Sequence, residues 1–359
     1  MTLPTTSDRS GMAAPLPGLP ASRGPLLALD GFSVAFPGAS GPVPVVRGID
    51  LSLAPGEALG IVGESGCGKS VTWLAALRLL GRDVVTSGEV RLRGEDITRL
   101  PERALARVRG GRIGLIFQDP TSSLNPVQRI GTQLAEVLRL HRGLRGDAAQ
   151  REALRLLDRV GIADAPRRLR QYPHEFSGGM NQRAMIALAL AGEPEVLIAD
   201  EPTTALDATI QAQILDLIRD IRRESGMGLV LISHDIGVVA DLCDRVAVMY
   251  AGRVVETAAT QDLLGRPRHP YTRGLLAALP SLDGPRRQLT PIAGTVPAPD
   301  RMPPGCAFAP RCSLAIEACR SETPPLVLAA QEQRAACLRL AETAPVPATR
   351  EPVSVGAFA

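Results

Sequence analysis

The sequence predicts an α/β fold. A parallel sheet is covered by helices, with an antiparallel β subdomain ahead of it, a helical subdomain inserted in it and a small cysteine-rich domain after it. Three observations carry this expectation. Continuous apolar runs such as Val196-Leu197-Ile198-Ala199 and Leu229-Val230-Leu231-Ile232 suit strands buried on both faces. Strand-like runs alternate with segments of helical apolar spacing, the pattern of a parallel sheet with helical crossovers. The run Ala58-Leu59-Gly60-Ile61-Val62 leads into a glycine-rich loop and then a helix, the context of a phosphate-binding turn.

Taken in chain order, residues 1–24 are rich in Pro, Ala, Gly and Ser and are expected to form a disordered tail. Residues 26–60 carry short apolar runs split by Gly and Pro, such as Leu26-Leu27-Ala28-Leu29 and Phe32-Ser33-Val34-Ala35-Phe36, which read as the antiparallel layer. A helix is expected from Val71 to Leu80, stopped by Gly81. Ile113-Gly114-Leu115-Ile116-Phe117 reads as a strand. Residues 126–190 are mostly helical. One helix there opens near Asp147, places Leu154, Leu157 and Val160 at helical spacing and ends at Gly161. After about residue 280 proline becomes dense and four cysteines follow, which marks a small domain at about 284–340. Residues 341–359 form a second Pro/Ala-rich tail.

Bulk properties narrow the function. A length of 359 residues suits two domains, or one large domain with an appendage. The chain is 45% hydrophobic and 21% charged, which suits a soluble globular protein. A net charge of +3 is too mild to argue for nucleic acid or an anionic membrane surface. With 3% aromatic residues, no base-stacking platform is visible. No apolar run approaches the roughly 20 residues needed to cross a bilayer. Pro15, Pro17 and Pro20 break the N-terminal apolar stretch, so it does not read as a signal peptide. A cytosolic setting is expected, with the six cysteines as thiols or metal ligands.

The glycine-rich loop is Gly63-Glu64-Ser65-Gly66-Cys67-Gly68-Lys69-Ser70 and fits G-x-x-x-x-G-K-[ST]. Of the chain's 40 basic side chains, Lys69 is the one lysine. A compact ammonium fits inside a tight ring of backbone N–H groups where a planar guanidinium does not. Lys69 is expected to meet the β- and γ-phosphates of a nucleoside triphosphate, and Ser70 to bind Mg²⁺. Gly63, Gly66 and Gly68 let the backbone turn its N–H groups inward, and the following helix adds its positive end. The strand ending in Asp200-Glu201 places two carboxylates at the C-terminal edge of the sheet, where α/β ligands bind. Asp200 is the candidate Mg²⁺ ligand, and Glu201 the candidate base for the attacking water. Ser177-Gly178-Gly179 before a helix reads as a second anion cradle, with a plain N-cap as the alternative.

In order along the chain stand the phosphate loop, Gln118, Phe176-Ser177-Gly178-Gly179-Met180-Asn181-Gln182-Arg183, Asp200-Glu201, Ala205-Leu206-Asp207 and Ser233-His234-Asp235. Together they resemble the ATP-binding-cassette (ABC) ATPases, a P-loop NTPase family, over about residues 26–260. The resemblance implies a nucleotide-binding domain at 25–265 with its helical subdomain at about 119–190. It implies that Gln118 senses Mg²⁺ and water and couples to a membrane partner. It implies that Ser177, Gly178 and Gly179 close on the γ-phosphate of ATP held by an opposite subunit. Asp207 would belong to the loop crossing that interface, and His234 would be the switch histidine contacting the γ-phosphate. Phe36 stands where the family stacks an aromatic on adenine, although it shares a strand face with Phe32 and Val34 and suits core packing nearly as well. Met180 and Asn181 depart from the usual signature but lie outside the phosphate cradle, so little effect is expected. His141 is expected to be solvated on a basic helix.

Three longer strings narrow the branch: residues 117–126 (Phe117 to Pro126), Tyr172-Pro173-His174-Glu175-Phe176 and His269-Pro270-Tyr271-Thr272-Arg273-Gly274-Leu275-Leu276. They look like the oligopeptide/dipeptide/nickel importer ATPases, specifically the first-type ATPase subunit, with a C-terminal domain of that type at 266–340. Implied partners are a second, paralogous ATPase subunit, two membrane permeases and, through them, an extracytoplasmic solute-binding protein. The implied location is peripheral, on the cytoplasmic face of the inner membrane. Peptides and nickel both stay open as solutes. The alternative is a soluble ABC ATPase acting on DNA or ribosomes. From chemistry alone, Cys306, Cys312, Cys319 and Cys337 suggest Zn²⁺ or a four-iron cluster. Some members of the branch carry a [4Fe–4S] cluster on cysteines at such positions, which favours iron–sulfur over zinc. Cys243 is expected to be a buried small hydrophobe, and Cys67 incidental. The cysteine site and the phosphate loop are expected to act independently, as parts of different domains.

Overall fold

The computed structural model describes residues 24–204, 206–278 and 291–343; Ala205 and most of both expected tails lie outside the described residues. The chain opens with β1 (Leu27–Phe36), β2 (Val43–Leu53), β3 (Ala58–Val62), α1 (Lys69–Ala76), β4 (Val85–Leu92), β5 (Glu95–Asp96), α2 (Glu102–Val108) and β6 (Ile113–Ile116). A helical stretch follows: α3 (Pro120–Ser123), α4 (Ile130–Arg142), α5 (Gly146–Arg159), α6 (Ala165–Arg168) and α7 (Gly178–Leu190). Then come β7 (Val196–Asp200), α8 (Ala208–Ser225), β8 (Gly228–Ile232), α9 (Ile236–Leu242), β9 (Arg245–Tyr250) and β10 (Arg253–Ala259). The C-terminal part holds α10 (Thr260–Gly265), α11 (Pro270–Ala277), α12 (Ala318–Ser321), β11 (Val327–Ala330) and β12 (Gln333–Ala335).

Among the described residues these strands make two sheets. The first, ordered β2-β1-β4-β5, is antiparallel, as residues 26–60 suggest. Its strands β4 and β5 come from a polar stretch whose pairing the sequence does not announce. The second sheet runs β11-β12-β10-β9-β3-β8-β7-β6. From β6 to β9 it is parallel, and β10, β12 and β11 extend it antiparallel. Strands β3 and β8 are buried along their whole length, because helices cover both faces. One helix pins β3 closely: a Cβ on Gly60 would stand 2.3 Å from Val239 Cγ1 in α9.

Helix ends follow local chemistry. Gly143 and Gly226 take left-handed φ values of 69° and 67° and terminate α4 and α8. Helix α1 ends four residues before the expected Leu80. Arg78 turns to φ 48°, and the N–H groups of Arg78 and Leu79 fold back to the carbonyls of Ala75 and Leu74.

Residues 291–343 add to the main core. Phe308 and Tyr271 belong to the same buried cluster as Leu197, Leu229 and Val248, with Ile292, Met302 and Cys306 packed against it. Strand β12 pairs with β10 through Glu256↔Ala335 and Thr257↔Arg334. Buried Glu256 ties this region together, accepting from the N–H groups of Arg268 (2.7 Å) and His269 (2.8 Å) and from Gln333 Nε2 (2.8 Å). A segment this short has little apolar surface of its own, so sheet extension gives it a core to share.

Candidate active site

Residues 63–68 form a tight loop between β3 and α1, and Lys69 and Ser70 open the helix. Gly63, Gly66 and Gly68 have φ of 155°, 79° and 101°, values that glycine alone adopts without strain. A Cβ on Gly63 would lie 2.2 Å from the Met249 carbonyl oxygen, so the neighbouring strand also requires glycine there. Lys69 is buried, and its Nζ donates to the carbonyls of Gly63 (2.7 Å) and Glu64 (3.1 Å). Cys67 is buried against it, with Sγ 3.9 Å from Nζ, and burial pushes its thiol pKa up.

Beside the loop, at the end of β7, the Asp200 carboxyl stands near Ser70, whose hydroxyl favours its charged form. Burial pushes the Asp200 carboxyl up from the ordinary range, and its Oδ1 is buried without a hydrogen-bond partner. An unpartnered buried carboxylate oxygen beside a serine hydroxyl fits a hard divalent cation, whose charge would offset the cost of burial. Glu201 follows with φ 47°, held by its N–H donating to the Ile232 carbonyl at 2.9 Å. Its Oε2 accepts from Gln118 Nε2 (3.0 Å) and Thr204 Oγ1 (2.9 Å) and lies 3.3 Å from His234 Nδ1. Three expected residues from three strand ends thus meet on one carboxylate oxygen. Thr204 is a fourth member that the sequence reading did not single out. Its position three residues after Glu201, at the turn closing that loop, was the available signal.

The remaining expected residues stand elsewhere. Ser177 caps α7, its Oγ accepting from the Met180 N–H at 3.3 Å, and Ser177 and Gly178 are exposed while Gly179 abuts Ile210. Asp207 caps α8 by accepting from the Ile210 N–H at 3.0 Å, and is exposed. Among the described residues, no hydrogen bond joins residues 177–179 to the phosphate loop. Phe36 is half-buried against the antiparallel sheet's core. Asn181 is buried and donates from Nδ2 to the Pro173 carbonyl at 3.1 Å, so the signature's departure there packs under the cradle. His141 is half-buried against Gly110 and Gly111, and burial lowers its pKa, so it is not simply solvated.

All four C-terminal cysteines line one small cavity with His269, Phe308 and Arg339. Burial and their mutual repulsion as thiolates push the thiol pKa values of Cys306 and Cys337 up. Four sulfurs around one cavity are a suitable donor set for a soft or borderline metal. Among the described residues, however, no three His, Cys, Asp or Glu side chains are gathered closely enough to hold a metal ion.

The two sites, expected to act independently, are joined by a contact. Arg311, the residue before Cys312, reaches across 247 positions and pairs with Glu64 inside the phosphate loop. Nothing local in the sequence announces this contact.

Comparison with known proteins places this geometry. The ABC transporter family profile matches residues 46–204, and that of the oligopeptide/dipeptide transporter C-terminal region matches residues 255–319. A putative peptide import ATP-binding protein of Brucella abortus (strain 2308) is 49% identical over 336 residues, covering 90% of this chain and 99% of its own. A second such protein of that strain is 51% identical over 305 residues, covering 85% and 92%. A solved dimeric ATP-binding cassette in a post-hydrolysis state, bound to ADP and phosphate, superposes with TM-score 0.59 at 27% identity, over 65% of this chain and 98% of that one. A Clostridium perfringens protein, part of an ABC transporter complex, gives TM-score 0.57 at 27% identity, over 67% and 90%. On these likenesses the chain belongs to the ATP-hydrolysing ATP-binding proteins of ABC transporters, in their oligopeptide/dipeptide branch.

Proposed function

We propose that this chain is an ATPase subunit that energises the import of peptides across the cytoplasmic membrane. The observation that carries the proposal is the meeting of Gln118, Glu201 and His234 beside the loop of Lys69 and Ser70. The names of the half-identical relatives support peptides over nickel as the solute. The alternative, action on DNA or ribosomes, is not favoured. The longest helix between β6 and β7 has only 14 residues, so the insertion carries no long coiled coil.

In this reading Lys69 and the loop N–H groups hold the β- and γ-phosphates. Ser70, Asp200 and Gln118 are the residues that would hold Mg²⁺, which neutralises phosphate charge when bound. Glu201 takes a proton from the attacking water, and His234, beside it, reaches the γ-phosphate. Ser177, Gly178, Gly179 and Asp207 face outward to complete the site of a second ATPase subunit, and two permeases receive the pair. The chain sits peripherally on the membrane; no described helix is long and apolar enough to cross it. The domain division follows at 25–265, with helical subdomain 119–190, and at 266–340. Cys306, Cys312, Cys319 and Cys337 are the residues that would hold a [4Fe–4S] cluster, with Zn²⁺ the alternative; their donor chemistry and shared cavity support this, although no three described side chains are gathered closely enough to hold a metal ion as they stand.

Co-purification with candidate permeases and a second ATPase subunit, followed by reconstitution into vesicles, tests the transport reading. Di- and oligopeptides should accumulate only with ATP. Wild-type ATP hydrolysis without uptake of any peptide, alongside uptake of nickel, would overturn the peptide assignment.

A further inference from the structure

Glu64 is the second residue of the phosphate loop, and groups far away in sequence hold it. Its carboxylate accepts both prongs of the Arg311 guanidinium, Nη1 to Oε2 at 2.8 Å and Nη2 to Oε1 at 3.0 Å. Its N–H donates to the Tyr271 hydroxyl at 2.8 Å. Its carbonyl accepts from Lys69 Nζ at 3.1 Å. Every polar group of this residue is therefore committed.

Arg311 is itself fixed. Its side chain is only 6% exposed, its Nε donates to the Ala293 carbonyl at 2.8 Å, and it lies over the rings of Tyr250 and Phe308 at 5.8 and 5.9 Å. Tyr250, Tyr271 and Phe308 pack ring against ring at 4.6–5.5 Å. The chain has only three tyrosines and six phenylalanines, so gathering three of those rings here marks a deliberately rigid platform. A two-pronged Arg–carboxylate pair whose arginine is shielded from water fixes geometry as well as charge.

A carboxylate in a loop built to receive a polyanion is a liability unless its charge is cancelled. We propose that Arg311 and Tyr271 are positioning residues for the phosphate loop: they fix Glu64 from outside and cancel its charge, so that the loop's N–H groups stand ready for the nucleotide phosphates. The C-terminal segment thereby sets nucleotide affinity. Arg311 lies in the short turn between Cys306 and Cys312, so whatever orders the cysteines also orders the clamp. This inference rests on residues 63–70 being the nucleotide site.

MgATP binding by the full chain, measured by titration calorimetry, tests it. Contacting charged residues couple by roughly 0.5–3 kcal/mol, which spans about two- to 150-fold in affinity. Arg311→Gln should weaken MgATP binding about tenfold, and in the assembled transporter should raise KM similarly while leaving kcat within about twofold. Tyr271→Phe, which removes one oxygen and keeps the ring, should weaken binding about threefold. In a Glu64→Gln background, Arg311→Gln should cost less than about twofold, because no charge is left to cancel. A merely structural role predicts the same loss in both backgrounds, and that result would overturn the proposal, as would wild-type affinity in a folded Arg311→Gln. Should Arg311→Gln fail to fold, Tyr271→Phe decides: unchanged affinity there refutes the clamp. Lys69→Ala separates the two readings, since normal MgATP binding by that variant would remove the nucleotide site itself.

Discussion

Replacing Glu201 with glutamine separates proton transfer from everything else this residue does. The side chain is 15% exposed, and one oxygen, Oε2, serves Gln118, Thr204 and His234. An amide has the same shape. Its oxygen can accept from Gln118 and Thr204, so charged acceptors become neutral ones at a cost of about 1 kcal/mol per hydrogen bond. Against that cost, the Glu201 charge repels half-buried Asp200 and helps push its carboxyl pKa up. Removing that charge returns part of the loss, and we expect stability to change by no more than about 1 kcal/mol. Turnover should fall by about 10²–10⁴-fold, or roughly 3–5 kcal/mol of transition-state stabilisation, because an amide cannot take the proton. ATP affinity should hold, since the phosphate loop is untouched. Phosphate release by the assembled transporter, ATP titration and thermal unfolding read the three quantities. Turnover within tenfold of wild type, with ATP affinity intact, would refute the role of Glu201 as base.

Three further outcomes are expected. Burial lowers the His269 pKa to about 4 from the usual 6.5. The unfolded chain therefore takes up this proton first, and about 3 kcal/mol of stability, fully present above pH 6.5, is lost as pH falls from 6.5 to 4. His269→Gln should flatten the pH dependence of thermal unfolding in that window, and an unchanged slope would count against it. Gly192→Ala should destabilise by about 2–3 kcal/mol in a denaturant titration, because the new Cβ would stand 1.8 Å from the Gly110 carbonyl oxygen and backbone must move. Protein purified without oxygen should contain iron and sulfide, and Cys312→Ser should remove both. Stoichiometric zinc would instead support the alternative, and metal-free protein with an equally stable C-terminal segment would reject both.

Much of this arrangement was legible because it is local. A strand ending at Val62, a helix following the glycine-rich loop and a strand ending at Asp200 each carry their signal within ten residues. The early end of α1 was not legible, because a left-handed Arg78 leaves no compositional mark. Strands β4 and β5 escaped because their residues are polar and gain their place only by pairing with β1. The Arg311–Glu64 pair and the buried Glu256 escaped for the same reason. Each depends on two distant segments meeting, and single-residue chemistry does not say which arginine meets which carboxylate. The four cysteines suggested a metal, yet no three described side chains stand closely enough to hold one, and the contact with the phosphate loop is made by the arginine beside Cys312.

The meeting of Gln118, Glu201 and His234 is a consequence of sheet register. Strand order β6-β7-β8-β3 sets Ile116 beside Ala199, Asp200 beside Ile232, and Ile61 also beside Ile232. The strands therefore end level, and the first residues beyond them emerge at one edge. A slip of one residue in β7 would turn Asp200 to the opposite face and carry Glu201 away from both neighbours. Register is specified by the apolar runs themselves: β8 is buried from end to end and β7 up to Ala199, so a slip would push Asp200 into the core or Gly228 out of the close fit against Leu53 and Leu26. Core packing thus does the aligning. Strand ends carry the chemistry, and the aromatic platform under Arg311 extends the same logic to the loop that β3 delivers.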